Sequence, residues 1–274
     1  GLDSLKHIGY GLMIRYAYSL ESLEGLEQLE YAGYGVLIED NHELKSIEGL
    51  IGLTEINGDL EIKHNYNLLN LDGLNNLSSV RKLEIIDNSS LEDINALLSL
   101  DSVGGILNIS GLPLVTSLDG LHNLMAIGGN LKISNNNALN DISDLINVKE
   151  IGGYLDIEYN QAITNLYGLD SIDAYSIEGL SIHHNQNLNI CNVMSICEHL
   201  PLVNLWVDIY ENGYGCNSEQ EIILSCDIGI DKENDNPVIS IYPNPANTTI
   251  YILTEKSNEL EIINLFNITG QFVD

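Results

Sequence analysis

The segment Leu44–Asn65 reads L-K-S-I-E-G-L-I-G-L-T-E-I-N-G-D-L-E-I-K-H-N, and its apolar residues change period part-way along. Leu44, Ile47, Leu50, Leu53 and Ile56 are spaced by three, whereas Leu60 and Ile62 are spaced by two. Threes suit a tight helical or 3₁₀-like turn and twos suit a strand, so the segment predicts a turn-rich arm feeding one short strand. The strand pair recurs as Leu12/Ile14, Val36/Ile38, Leu60/Ile62, Leu83/Ile85, Leu107/Ile109, Leu131/Ile133, Leu155/Ile157, Leu180/Ile182 and Leu205/Val207. Successive second members lie 23 to 25 residues apart. A fixed period of this length predicts a solenoid of about nine coils of about 24 residues. The patterned aliphatics of one coil cannot repay the ordering of two dozen backbones, so the coils must stack. Nine strands paired in parallel would make a sheet roughly 40 Å long.

Gly58 separates arm from strand, and equivalent places carry Gly104-Gly105, Gly128-Gly129 and Gly152-Gly153. Glycine at these corners is expected to supply the backbone angles of a sharp bend. A phosphate-cradling loop is a poor alternative, because no lysine-bearing helix start follows. Three residues after the strand isoleucine stands an asparagine in most coils: Asn41, Asn65, Asn88, Asn136, Asn160 and Asn185. A stacked column of amides can satisfy backbone groups that the turn buries in its own and the adjacent coil. The column breaks once, at Leu112-Pro113, which predicts a locally different turn near Gly111.

The pattern L-x-S-[LI]-x-G-L-x-x-L-x-x-I-x-G-x-L-x-I-x-x-N, over roughly residues 1–212, resembles the receptor L-domain branch of the leucine-rich-repeat superfamily, especially its bacterial surface-protein members. The resemblance implies an α/β repeat fold: a curved right-handed solenoid with one parallel β-sheet. It implies no chemistry. The repeats proper are assigned to residues 1–190.

Forty acidic residues against ten basic ones give a formal charge of −30. Such a field repels nucleic acid and anionic lipid surfaces, and DNA or RNA binding is excluded on that ground. The acids are dispersed, at positions such as Glu24, Glu48, Asp72, Asp119 and Asp144, and read as a solvated rim; no D-x-D-x-D-G calcium loop occurs. No apolar run approaches transmembrane length, so membrane insertion is not expected.

All four cysteines, Cys191, Cys197, Cys216 and Cys226, follow the last full repeat. An even set confined to one end reads as a disulfide-stapled cap over residues 191–226, with three connectivities possible. Their spacings do not match the usual structural zinc sites. The stretches C-N-V-M-S-I-C and N-G-Y-G-C-N-S-E-Q-E-I-I-L-S-C also resemble the cysteine cap of secreted Bacteroidetes repeat proteins. Disulfides imply an oxidising compartment.

Residues 227–237, D-I-G-I-D-K-E-N-D-N-P, lack the repeat and read as a linker. Beyond them, residues 238–274 show alternating β-rich runs separated by turn residues, the pattern of an antiparallel sandwich. Y-P-N-P-A-N-T-T-I-Y-I, with Tyr242, Pro243, Asn244 and Pro245, and I-I-N-L-F-N-I-T-G-Q, with Gly270, resemble the start of the type IX secretion C-terminal sorting domain. That resemblance implies a partial β-sandwich, engagement of the type IX secretion machinery, and an extracellular or outer-membrane cell-surface location. Gly1–Leu5 falls inside a repeat, with Leu5 and Ile8 in phase, so further chain is expected on both sides.

Enzyme constellations are weak. No G-x-S-x-G elbow accompanies the abundant Ser, His and Asp. His183-His184 suggests metal, but neighbours on a strand point to opposite faces, and no further ligand recurs at the right spacing. The expectation is a non-catalytic protein without cofactor or metal.

The residue between each inward pair faces outward, giving a candidate ligand face of Glu61, Glu84, Asn108, Lys132, Asp156, Ser181 and Trp206, with Met13 and Leu37 at its start. An extracellular protein or glycan is the expected partner. Trp206, the lone tryptophan, could anchor a ligand, although the capping loop around residues 210–216 is expected to cover it. Tyr10 and Tyr34 share the parity of the inward pairs and are expected in the core. A rigid acidic spacer displaying another domain is the competing reading.

Overall fold

The computed structural model describes residues 2–202 and 205–226, together with four short strands of the tail. The chain divides into two units, Gly1–Cys226 and Asp227–Asp274. In the first, nine strands form a single sheet: β1 (Leu12–Arg15), β2 (Gly35–Glu39), β3 (Asp59–Lys63), β4 (Lys82–Ile86), β5 (Leu107–Ser110), β6 (Leu131–Ser134), β7 (Tyr154–Glu158), β8 (Gly179–His183) and β9 (Trp206–Tyr210). Each pairs in parallel with its neighbours in sequence, so the arrangement is repeat-like and mostly parallel β. Short 3₁₀ turns such as Glu48–Leu50, Asn95–Leu97 and Tyr167–Leu169 occupy the period-three arms. The α-helices of this unit, α1 (Met194–His199) and α2 (Glu219–Cys226), both lie beyond β8.

The repeat holds one element that its sequence did not announce. The last member of the period-three run sits on a two-residue strand, as at Glu55–Ile56, Ser79–Val80 and Glu150–Ile151, and these strands form two further small parallel sheets. Two residues are too few to carry a period-two signature.

Isoleucine stacks on isoleucine through the large sheet, from Ile14↔Ile38 and Ile38↔Ile62 onward to Ile157↔Ile182. At its end the register corrects the expected pair. Val207 lies beside Leu180 and Ile209 beside Ile182, so the inward residues of β9 are Val207 and Ile209 rather than Leu205 and Val207. The buried aliphatics form one continuous cluster from Leu23 to Ile222.

The paired glycines do a different job from the one expected. Gly128 and Gly152 have no left-handed φ; a Cβ on Gly128 would stand 2.3 Å from the Gly104 carbonyl oxygen, and one on Gly152 would stand 2.5 Å from that of Gly128. Neighbouring repeats approach here backbone to backbone, and it is the missing side chain that matters.

All six asparagines, Asn41, Asn65, Asn88, Asn136, Asn160 and Asn185, are fully buried. Asn65 shows the wiring. Its Oδ1 accepts from the Asn41 backbone N–H and from Asn41 Nδ2, both at 3.1 Å, while its Nδ2 donates to the Ile38 carbonyl at 2.9 Å. Asn212 extends the column past its last expected member, taking the Asn185 N–H at 3.1 Å and donating to the Cys216 carbonyl at 2.9 Å.

The residue preceding each rung is left-handed: Tyr16, Asp40, His64, Asp87, Gly111, Asn135, Tyr159, His184 and Glu211 all have φ between +50° and +68°. Gly111 therefore continues the backbone column, contrary to the expected local change of turn. Only the side chain of the rung is missing at Leu112, which is fully buried and whose N–H still reaches Asn136 Oδ1 at 3.0 Å.

The cysteines pair as Cys191–Cys216 and Cys197–Cys226; the second joins α1 to α2, and the first joins the segment before α1 to the segment between β9 and α2. In the second unit, Ile239–Tyr242 pairs antiparallel with Tyr251–Thr254, and Leu265–Phe266 with Phe272–Val273. Tyr242 ends the first of these strands, whereas Pro243, Asn244, Pro245, Gly270 and the expected linker 227–237 lie outside the described residues.

Truncating one rung tests the wiring. Asn65→Ala leaves the buried N–H of Asn41 without its partner and removes one of the donors to the Ile38 carbonyl, at about 1–3 kcal/mol. Urea unfolding should show a loss of about 1–3 kcal/mol, and a loss under about 0.5 kcal/mol would mean that water replaces the amide.

Candidate functional site

The register gathers the expected face into one column: Met13, Leu37, Glu61, Glu84, Asn108, Lys132, Asp156 and Ser181 lie on consecutive strands, and Asp208 completes it. Trp206 leaves this column. It pairs with Gly179, next to Tyr154, in the flanking row. Ser181 is only 5% exposed, because its short hydroxymethyl lies between Asp156 and Asp208.

Opposite charges fill the middle of the face. Lys63 pairs with both Glu61 and Glu84; Lys82 reaches Glu61 at 2.9 Å and Glu84 at 3.2 Å. Burial pushes the Glu61 carboxyl up, but hydrogen bonds and charge from Lys63 and Lys82 outweigh it and hold the group below its ordinary range. Burial likewise lowers Lys63 and Lys82, and their carboxylates more than reverse that. Further along, Lys132 pairs with Glu158, and burial keeps the Asp156 carboxyl above its ordinary range.

Both ends of the face are aromatic. Tyr10 and Tyr34 are 79% and 72% exposed, so they are not core residues; their rings stack with centroids 5.5 Å apart. Their parity fails as a guide because both precede the strands, in the bend before Leu12 and Gly35, where alternation has not begun. Beside them a groove of about 220 Å³ is lined by Met13, Tyr34, Gly35, Leu37, Asp59 and Glu61. Asp59 Oδ1 is a buried acceptor without a hydrogen-bond partner.

At the other end Trp206 is 50% exposed, so the capping loop does not cover it. Its ring meets Tyr154 edge-on at 5.9 Å. Gly179 sits between them in the row and makes the approach possible: a Cβ there would stand 2.6 Å from the Tyr154 ring.

Along the left-handed column the side chains also cluster. His183 and His184 were expected on opposite faces, yet their Nδ1 atoms lie 3.0 Å apart. His184 has φ +58°, which ends the strand alternation and turns its ring toward its neighbour. Among the described residues, Glu39, Asp40 and His64 bring ligand atoms within 4.8 Å of one another, although Glu39 also pairs with Arg15 at 2.6 Å. On the arms, Asp144 departs from a simply solvated rim: burial first, then a hydrogen bond and repulsion from Asp119, raise its carboxyl.

Residues 240–274 match the family described as "Secretion system C-terminal sorting domain". This sorting tail points to export by type IX secretion, to the cell surface or beyond, and to contact with that secretion machinery. No helix among the described residues is long and apolar enough to cross a membrane. No curated protein and no solved structure matches the chain.

The charged cluster has a pH signature. Glu61, depressed in the folded state, contributes stability that is present above its unfolded pKa of about 4.3 and is lost as pH falls through the folded value. Lys63 and Lys82, raised on folding, contribute stability that is present below about 10.4 and is lost as pH rises through their folded values. Glu61→Gln should therefore flatten the acid limb of a urea-midpoint profile between about pH 5 and 3; an unchanged limb would mean that the cluster is electrostatically idle.

Proposed function

We propose that the chain is a non-catalytic secreted or cell-surface recognition module, built as a right-handed, receptor L-domain-like leucine-rich solenoid of about nine coils. It takes an extracellular protein or glycan on the outward face of its large sheet. One observation carries this reading: among the described residues, the sheet face ends in two exposed aromatic patches, Tyr10/Tyr34 and Tyr154/Trp206. Exposed, paired aromatic rings suit the apolar face of a sugar, or a peptide anchor. The sorting tail supports delivery to the outside, where such partners are met.

A second reading has its own support. The charges in the middle of the face satisfy one another, as expected of a rigid acidic spacer that displays a neighbouring domain.

Screening the full chain against glycan and extracellular-protein arrays separates the two. Recognition predicts a ligand whose affinity falls at least about tenfold, roughly 1.4 kcal/mol, on Trp206→Ala or Tyr34→Ala, with smaller losses on substituting Glu84, Lys132 or Asp156. An array without binders favours the spacer, and a binder indifferent to all five substitutions removes this face as the site.

A further inference from the structure

His183 and His184 form a pair that the recognition reading does not use. Their outer nitrogens are each committed to a carboxylate: His183 Nε2 lies 3.3 Å from Glu158, and His184 Nε2 lies 2.7 Å from Glu211. A carboxylate beside Nε2 favours the neutral tautomer that carries its proton there over one that presents a lone pair. Both Nδ1 lone pairs are then left facing each other across 3.0 Å. Two lone pairs at that distance repel unless a positive charge, a shared proton or a metal ion, sits between them.

The rings are held for that role. Tyr159 stacks on His184 with centroids 4.3 Å apart, and Tyr210 stacks on His183 at 4.8 Å. The His183 side chain is 11% exposed and that of His184 26%, which leaves one open side. Carboxylates behind imidazole ligands fix the tautomer and raise ligand basicity.

We propose that His183 and His184 form a bidentate imidazole site for a divalent transition-metal ion of square-planar preference, Cu²⁺ or Ni²⁺, with Glu158 and Glu211 orienting the rings from behind. Metal–nitrogen bonds of about 2.0–2.1 Å spanning the observed 3.0 Å subtend about 95° at the ion. That is closer to the right angle of a tetragonal site than to the tetrahedral angle zinc prefers. Water completes the coordination on the open side. The strongly negative chain raises the local cation concentration without choosing the site.

The test titrates Cu²⁺ into the tag-free full chain, with calorimetry for affinity and electron paramagnetic resonance for the ligating nitrogens. His184→Gln is the main variant, since its ring is the more exposed of the two; Glu211→Gln probes the orienting carboxylate and His64→Gln the rival cluster. Circular dichroism checks that each variant folds. The expected result is one saturable ion with two imidazole nitrogens, at least tenfold weaker binding and one nitrogen fewer in His184→Gln, about tenfold weaker binding in Glu211→Gln, and no change in His64→Gln. No saturable site, equal binding by wild type and His184→Gln, or selective loss in His64→Gln overturns the assignment.

Discussion

The fold depends on one side-chain amide answering two repeats at once. A turn that ends each strand buries backbone donors and acceptors, and such groups must find partners. Asn65 meets that demand for its own turn and for the preceding one, through Asn41 and Ile38. Reach sets the period: the amide spans one repeat only when the neighbouring turn falls at the same height. The exception at Leu112 keeps the N–H half of the bond and drops the side-chain half, which the left-handed backbone at Gly111 tolerates. The last step, from Asn185 to Asn212, survives 27 residues because the additional chain of that repeat holds α1 without altering the turn.

Strict stacking has consequences for the surface. When every strand keeps register, like positions form rows, and a row rich in acid must be interleaved with cations or repel itself. Lys63 and Lys82 serve that purpose for Asp59, Glu61 and Glu84. The left-handed residue at each turn has a second effect. It breaks the alternation of the strand, so two adjacent side chains reach the same side, and this brings His183 against His184.

The inward aliphatics and the asparagine column were legible because burial imposes one residue type at one position in repeat after repeat. Of the features that were not, three bear on the surface and the cap. The cysteine connectivity depends on how α1 and α2 fold back, which spacing does not encode. Tyr10 and Tyr34 obey the parity of the strands but lie just outside them, and Trp206 was placed one pair too early because Leu205 imitates an inward leucine. A positive φ at a non-glycine residue leaves no mark of its own, so the pairing of the two histidines was hidden; the recurrence of the position before each asparagine was the only available clue.

The distribution of satisfied and unsatisfied groups constrains what a ligand can gain. Binding over Glu61, Lys63, Lys82 and Glu84 would desolvate ion pairs already formed, and the desolvation offsets much of any new contact. Binding over the Tyr34 or Trp206 ring removes apolar surface from water, and at the Tyr34 end the penalty returns only where a ligand reaches down the groove to Asp59 and Glu61. The nearest members of the two aromatic patches, Tyr34 just before β2 and Tyr154 on β7, are five strand spacings apart, or about 24 Å at the usual interval. No small molecule bridges that distance. A ligand using both ends must be an extended chain, for which the second contact forms at the high effective concentration that the first creates. A compact ligand must choose one end, and removal of the aromatic residue at the other end would leave its affinity unchanged.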